Sequence, residues 1–223
     1  MRMVSWGSAP SQSAERVTAL SDGVFAIAMT LLIIDVVAVG KNVAEGERLS
    51  HHLLREWPTL AAFLVGFLTL LVCWANHQCV FESVGRVDSV LVWVNGLKLA
   101  IISAVPLPTA LLAANFTGPD RRTAFFIYGV TYFLLASSFW LMTRVIEARG
   151  LLAPGANAVD FRRINHIYGV AMVWTTAALG VVLVNVWAAC LMWGIMFAVF
   201  GFPNEFAALL HQRSIRKTAL GTR

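Results

Sequence analysis

The chain has 223 residues, 58% of them hydrophobic and 13% charged, with a formal net charge of +5 and a mean hydropathy of +0.72. A soluble domain of this length needs far more polar surface, so the composition places the chain among polytopic α-helical membrane proteins. Its apolar runs are continuous over about 20 residues, which excludes an outer-membrane barrel, and its basic residues collect in loops, as orientation requires, and do not mark a nucleic-acid surface.

The first run is the most distinctive: RVTALSDGVFAIAMTLLIIDVVAV over residues 16–39. A polar opening from Arg16 to Asp22 leads directly into an apolar helix whose only other charge is Asp35. An ionisable residue sunk into such a span is costly and marks either a functional site or a packed polar contact. Upstream there is no basic start of a secretory signal. Ala38-Val39-Gly40 is a weak cleavage-site match, and the run is read as a retained span.

Six spans are predicted in one domain covering 1–223: 17–39, 57–80, 89–113, 122–144, 166–187 and 188–210. The second opens on Trp57-Pro58, with proline suited to a first turn. Pro106 and Pro108 bend or end the third. Asn115-Phe116-Thr117-Gly118-Pro119 is turn chemistry. Residues 145–165 form the longest polar connection, a cytoplasmic loop, and Asn185 marks the turn between the last two spans. A basic cytoplasmic tail follows over 211–223.

With the N-terminus inside, the inner segments hold Arg2, Arg16, Arg86, Arg144, Arg149, Arg162, Arg163, Arg213, Arg216, Lys217 and Arg223. The outer segments hold Lys41, Arg48, Arg55, Arg121 and Arg122. Eleven against five places both termini in the cytoplasm of a multi-pass plasma-membrane protein. The 3+3 arrangement invites an inverted repeat, but nothing before the fourth span matches Ser21-Asp22.

Helical rise, about 1.5 Å per residue, brings Asp22, Asn76, His77 and Asn95 to one inner layer. Trp74, Ser21 and Arg16 are placed to join them. The layer is either a set of interhelical hydrogen bonds or a network with a titrating histidine. Lys98, about ten residues into the third span, is placed to lean inward toward Asp22, chiefly as a structural pair. No nucleophile–base–orienter set and no metal-spaced ligands occur, so neither an enzyme nor a metal or cofactor site is expected; His51-His52 lacks partner ligands. Cys73, Cys79 and Cys190 lie in apolar spans and act as small hydrophobes.

Ile27, Thr30, Leu31 and Ile34 fall at i, i+3, i+4 and i+7. That stripe suits a lipid-facing or core surface, or a seam between parallel copies. Ala19 and Gly23 form a small-xxx-small step that permits close helix approach. A ring of such helices about an axis would make an apolar constriction, of the kind that can gate by dewetting, and no TVGYG-like filter loop is present.

Arg16-Val17-Thr18-Ala19-Leu20-Ser21-Asp22 and the Gly23–Ala28 stretch after it resemble the RxxxFSD signature of the lysosomal/endosomal transmembrane potassium-channel family, in its prokaryotic six-helix form. Trp74-Ala75-Asn76-His77, Trp93-Val94-Asn95 and Val105-Pro106 extend the resemblance over residues 14–110. It departs at Leu20, where the signature has phenylalanine, and at Lys98, where an apolar residue is expected.

The resemblance implies a homotetrameric, potassium-preferring cation channel with its first helices around a central axis. By position, Ile27 matches the apolar constriction, Thr30 a polar layer tied to selectivity, and Leu31 and Ile34 further pore-facing positions. Arg16, Ser21, Asp22, Trp74, Asn76, His77 and Asn95 match a network holding the pore helix, with His77 as a partner of Asp22. Asp35 is either a cation-concentrating residue at the mouth or an interfacial carboxylate, and Lys98 modulates local potential. The expected partners are the chain itself, monovalent cations and the bilayer. Two alternatives stay open: a proton-permeable channel or ion-coupled transporter using Asp22, His77 and Lys98, and a non-conducting membrane scaffold.

Overall fold

The computed structural model describes residues 14–201, and the basic tail predicted over 211–223 lies outside them. The first apolar run forms α1 (Ala14–Leu31) and α2 (Ile33–Lys41), separated by the single turn residue Leu32. Helices α3 (Leu49–Arg55) and α4 (Trp57–Phe81) follow, then α5 (Ser89–Ala104) and α6 (Pro106–Asn115). The bend between α5 and α6 sits at Val105, where Pro106 removes a backbone donor. The bundle closes with α7 (Arg121–Ala148), α8 (Ala158–Val182) and α9 (Val186–Gly201). Five of these runs are long and apolar enough to cross a bilayer, and α9 is a sixth, shorter apolar helix within the described residues.

Two boundaries differ from the sequence expectation. The connection predicted over 145–165 shrinks to residues 149–157, because α7 runs to Ala148 and α8 starts at Ala158. The early start of α8 has a local cause. Asn157 accepts hydrogen bonds from the amides of Val159 and Asp160 at 3.0 and 3.4 Å, satisfying donors left open by the first turn. Arg162 then pairs with Glu147 at 3.0 Å, so polar turns of both helices continue past the apolar zone. Residues 49–55 also differ, forming α3 in place of loop. Asn185 does mark the last turn, accepting from the amides of Trp187 and Ala188 to cap α9.

The two ends of the bundle are built differently. At the end where α1 begins, loops 82–88 and 149–157 clasp each other. Gly85 donates its amide to the Leu151 carbonyl and Ala153 donates to Ser83, both at 2.9 Å. Asp88 caps α5 by accepting from the Leu91 amide at 2.9 Å and also binds Arg149. Desolvation works against the Asp88 carboxylate, but the Leu91 amide and Arg149 outweigh it and hold its pKa below the ordinary 3.8. At the far end, His52 is buried and links α3 to the end of α2 by a 2.9 Å contact with the Val39 carbonyl. Its other ring nitrogen meets Glu47 at 3.0 Å.

The clasp yields two expectations. A Cβ on Gly85 would lie 2.5 Å from the Ala153 Cα, which no side-chain adjustment can relieve. Gly85→Ala is therefore expected to cost about 1–3 kcal/mol by forcing backbone to move. Gly180→Ala, with nothing within 4 Å in a helix, should be neutral or stabilising. Thermal melting in detergent checks both. The Asp88 contribution, from a depressed carboxyl, is complete above the ordinary pKa and lost as pH falls through its folded value. Below about pH 4 the wild type should lose its stability advantage over Asp88→Asn.

Candidate ion pathway

One face of α1 is inside the bundle and the opposite face is bare. Val17, Ser21, Phe25 and Ala28 are buried, and Leu32 continues the line. The bare face carries Leu20, Ile27 and Leu31 and continues onto α2 at Ile34, with Ile27 62% and Ile34 58% exposed in the single chain. Ala19, Gly23 and Ala26 are also exposed there, and Gly23 has no atom near an added Cβ. Small residues on that face leave room for another helix backbone to approach.

Thr30 is the polar member of the bare face. Its hydroxyl donates to the Ile27 carbonyl at 2.8 Å. The proton is thereby committed to the helix, and the oxygen lone pairs remain available. An outward-facing acceptor of this kind can take a cation or its water, but cannot donate to an anion while that bond persists.

What holds α1 is a polar layer from α1, α4 and α5. The half-buried Asp22 carboxylate accepts from Trp74 Nε1 at 2.8 Å and from Gln78 Nε2 at 2.7 Å. Trp74 and Gln78 are one helical turn apart on α4, so both reach the same carboxylate oxygen. One residue earlier, Ser21 accepts from Asn95 Nδ2 of α5 at 3.0 Å and donates to the Val17 carbonyl at 2.8 Å. Donor contacts to a charged group contribute roughly 1.5–3 kcal/mol each, enough to fix the register of α1 against α4.

His77 is not a partner of Asp22. Its Nδ1 lies 2.5 Å from Lys98 Nζ, and both residues are wholly buried. Lys98 therefore does not reach Asp22 either. Its amino group is enclosed by Met142 Sδ at 3.4 Å and by the Phe139 and Phe81 rings, 5.1 and 5.8 Å to their centroids. The reason is directional: Asp22 faces the side of α4 bearing Trp74 and Gln78, whereas His77 turns into the core between Phe25 and Phe81. Phe25 carries the contact back to α1.

Asn76 points elsewhere again. It donates to the Phe200 carbonyl at 2.9 Å and accepts from Tyr168 at 3.0 Å, joining α4 to α8 and α9. Arg16 is exposed, with no side-chain partner among the described residues, and Asp35 is half-buried on α2. Lys98, sealed in the core, is at no mouth of the bundle. Gln78 and Tyr168 escaped the sequence reading; the i+4 spacing of Gln78 from Trp74 was its only available signal. Among the described residues no group of three or more His, Cys, Asp or Glu is placed to hold a metal.

Among the described residues the Lys98–His77 pair has no carboxylate partner, so removing one member leaves the other polar group stranded. His77→Leu is expected to destabilise by about 3 kcal/mol, and adding Lys98→Met should recover part of that loss. Melting curves of the two variants settle the order, and a double variant no better than His77→Leu would refute the pairing.

A family model described as "Endosomal/lysosomal potassium channel TMEM175" matches residues 16–106. A potassium channel of Chamaesiphon minutus is 35% identical over 196 residues, covering 86% of this chain and 97% of that one. A potassium channel of Streptomyces collinus is 42% identical over 156 residues, 66% of this chain and 74% of the relative. The human endosomal/lysosomal proton channel TMEM175 is 33% identical over 135 residues, 58% of this chain but 27% of the human protein. The crystal structure of the lysosomal potassium-selective channel homologue from Chamaesiphon minutus superposes with a TM-score of 0.74 at 29% identity, covering 85% and 97% of the two chains.

Proposed function

The chain belongs to the TMEM175 family of potassium channels, and from that premise we propose that it is a homotetrameric, potassium-preferring cation channel conducting along the bare face of α1. The observation that supports this reading most directly is the division of α1 into an anchored face and an open face. Asp22 and Ser21 tie one side to α4 and α5, while Ile27, Thr30 and Leu31, with Ile34 of α2 continuing their line, are exposed on the side away from the bundle. Four copies about an axis place these residues around a common lumen.

Conduction then needs no catalytic chemistry. The Ile27 ring forms an apolar constriction that empties of water when narrow and wets when widened. The Thr30 ring, one turn along, offers hydroxyl oxygens whose protons are held by backbone. Selectivity arises from lumen radius and those oxygens, not from a carbonyl filter. Leu31 and Ile34 line the lumen beyond, and Asp35 raises cation concentration at its far end. Both termini face the cytoplasm of a plasma membrane, as the eleven-to-five distribution of basic residues favours.

The relatives named proton channels raise a relay through Asp22, His77 and Lys98 as the other reading. Two separate contacts, Asp22 with Trp74 and Gln78 and Lys98 with His77, favour passive potassium conduction over a continuous proton path. Reversal potentials under opposed potassium and proton gradients distinguish the two, and tetramers without any flux would indicate a scaffold.

In liposomes, potassium efflux against a sodium competitor is the direct test. Ile27→Asn should wet the constriction and raise flux about tenfold, equivalent to roughly 1.4 kcal/mol off the barrier. Thr30→Ala should lower the potassium-to-sodium flux ratio. Unchanged conductance and open probability in Ile27→Asn would exclude Ile27 as the gate.

A further inference from the structure

At the far end of the bundle, away from the α1 opening, the start of α7 faces the turn between α8 and α9 across a cleft of about 460 Å³. Gly118, Pro119, Arg121 and Arg122 line one side, and Val184, Asn185 and Trp187 the other. The Arg121 guanidinium lies over the Trp187 indole, 6.0 Å from its centroid. Neither arginine pairs with a carboxylate among the described residues. Asp120, their neighbour in sequence, does not line the cleft.

The side-chain hydrogen-bonding chemistry of the cleft is one-sided. Arg121 and Arg122 are pure donors. Asn185 has both acceptor contacts of its Oδ1 directed to the Trp187 and Ala188 amides, leaving its NH₂ as the free group. Two fixed positive charges and an amide donor, with no side-chain acceptor left over, match an oxyanion. Each guanidinium offers the planar fork of donors that phosphate oxygens accept.

The position of the cleft identifies the source of the phosphate. Trp57, Phe116 and Trp187 form a chain of edge-on aromatic contacts at this end, with centroids 4.9 and 6.0 Å apart. Such aromatics gather at the headgroup level of a bilayer. Trp187 is 57% exposed, and Leu183 and Val184 beside it are also bare, so the cleft opens onto an apolar wall suited to acyl chains. We propose that Arg121, Arg122 and Asn185 form a binding site for the phosphate of an anionic phospholipid, with Trp187 as its apolar flank. The site clamps α7 to the α8–α9 turn. It depends on the chain spanning a bilayer and is independent of the conduction path.

The full-length tetramer, purified in mild detergent, is titrated with phosphatidylglycerol, with phosphatidylcholine and with inorganic phosphate, followed by native mass spectrometry and thermal melting. Wild type should retain one more phosphatidylglycerol per chain than R121Q/R122Q, and phosphatidylglycerol should raise its melting midpoint by a few degrees more. Phosphatidylcholine and inorganic phosphate should not separate the two proteins. R48Q, at an exposed arginine in another loop at the same end, should behave as wild type. If R121Q/R122Q fails to assemble, R121Q and R122Q singly carry the comparison, each with partial loss. Equal retention and equal shifts in wild type and variants overturn the site. A shift reproduced by inorganic phosphate alone makes it a free-anion site and overturns the lipid assignment, as does equal retention of phosphatidylcholine. Potassium flux, measured in parallel, reports separately on conduction.

Discussion

A carboxyl group sits inside a membrane helix at tolerable cost where donors have been brought to it. Asp22 meets that condition through Trp74 and Gln78, two donors on one turn of α4. The contact is costly to break, since the carboxylate would then be left half-buried without partners. It therefore dictates which face of α1 turns inward. Once Ser21 and Asp22 are committed to α5 and α4, Ile27, Thr30, Leu31 and Ile34 have to lie on the other side. The apolar face of α1 stays bare because a polar anchor fixes the opposite one.

Lys98 and His77 solve a different problem in the neighbouring core. The buried Lys98 amine, with no carboxylate partner among the described residues, relies on the His77 ring nitrogen, a thioether and two ring faces. These are weaker than an ion pair, but they are numerous and rigidly placed. The arrangement connects α5, α4 and α7 behind α1, and Phe25 conveys that packing to α1 through the His77 ring. Asn76, adjacent in sequence, serves α8 and α9 instead. Three consecutive polar positions on α4 thus face three different neighbours, which is what a helix at the centre of a bundle requires.

The bundle ends divide their tasks as well. The clasp of Gly85 with Leu151, reinforced by Asp88 and Arg149, joins loops through backbone hydrogen bonds and an ion pair. The far end relies on aromatic packing from Trp57 through Phe116 to Trp187, where rings suit the lipid boundary. Tyr132 stacked on Trp193 at 5.6 Å, with Gly129 leaving space for the indole, secures α7 to α9 between the two ends.

Much of this was legible in the chain alone. Long apolar runs, Pro106 and Asn185 located the helices and their breaks, because hydrophobic length and turn chemistry are local properties. The i, i+3, i+4, i+7 spacing of Ile27, Thr30, Leu31 and Ile34 placed them on one stripe, although a stripe by itself does not distinguish lumen from lipid. Depth along each helix brought Asp22, His77, Asn76 and Asn95 to one layer. Depth says nothing about direction around the helix axis, so only the tertiary structure could pair Asp22 with Trp74 and Gln78, His77 with Lys98, and Asn76 with Tyr168. The same holds for the clasp at Gly85 and the cleft at Arg121: each is formed by loops far apart in sequence, and rotation and docking of whole helices decide such meetings.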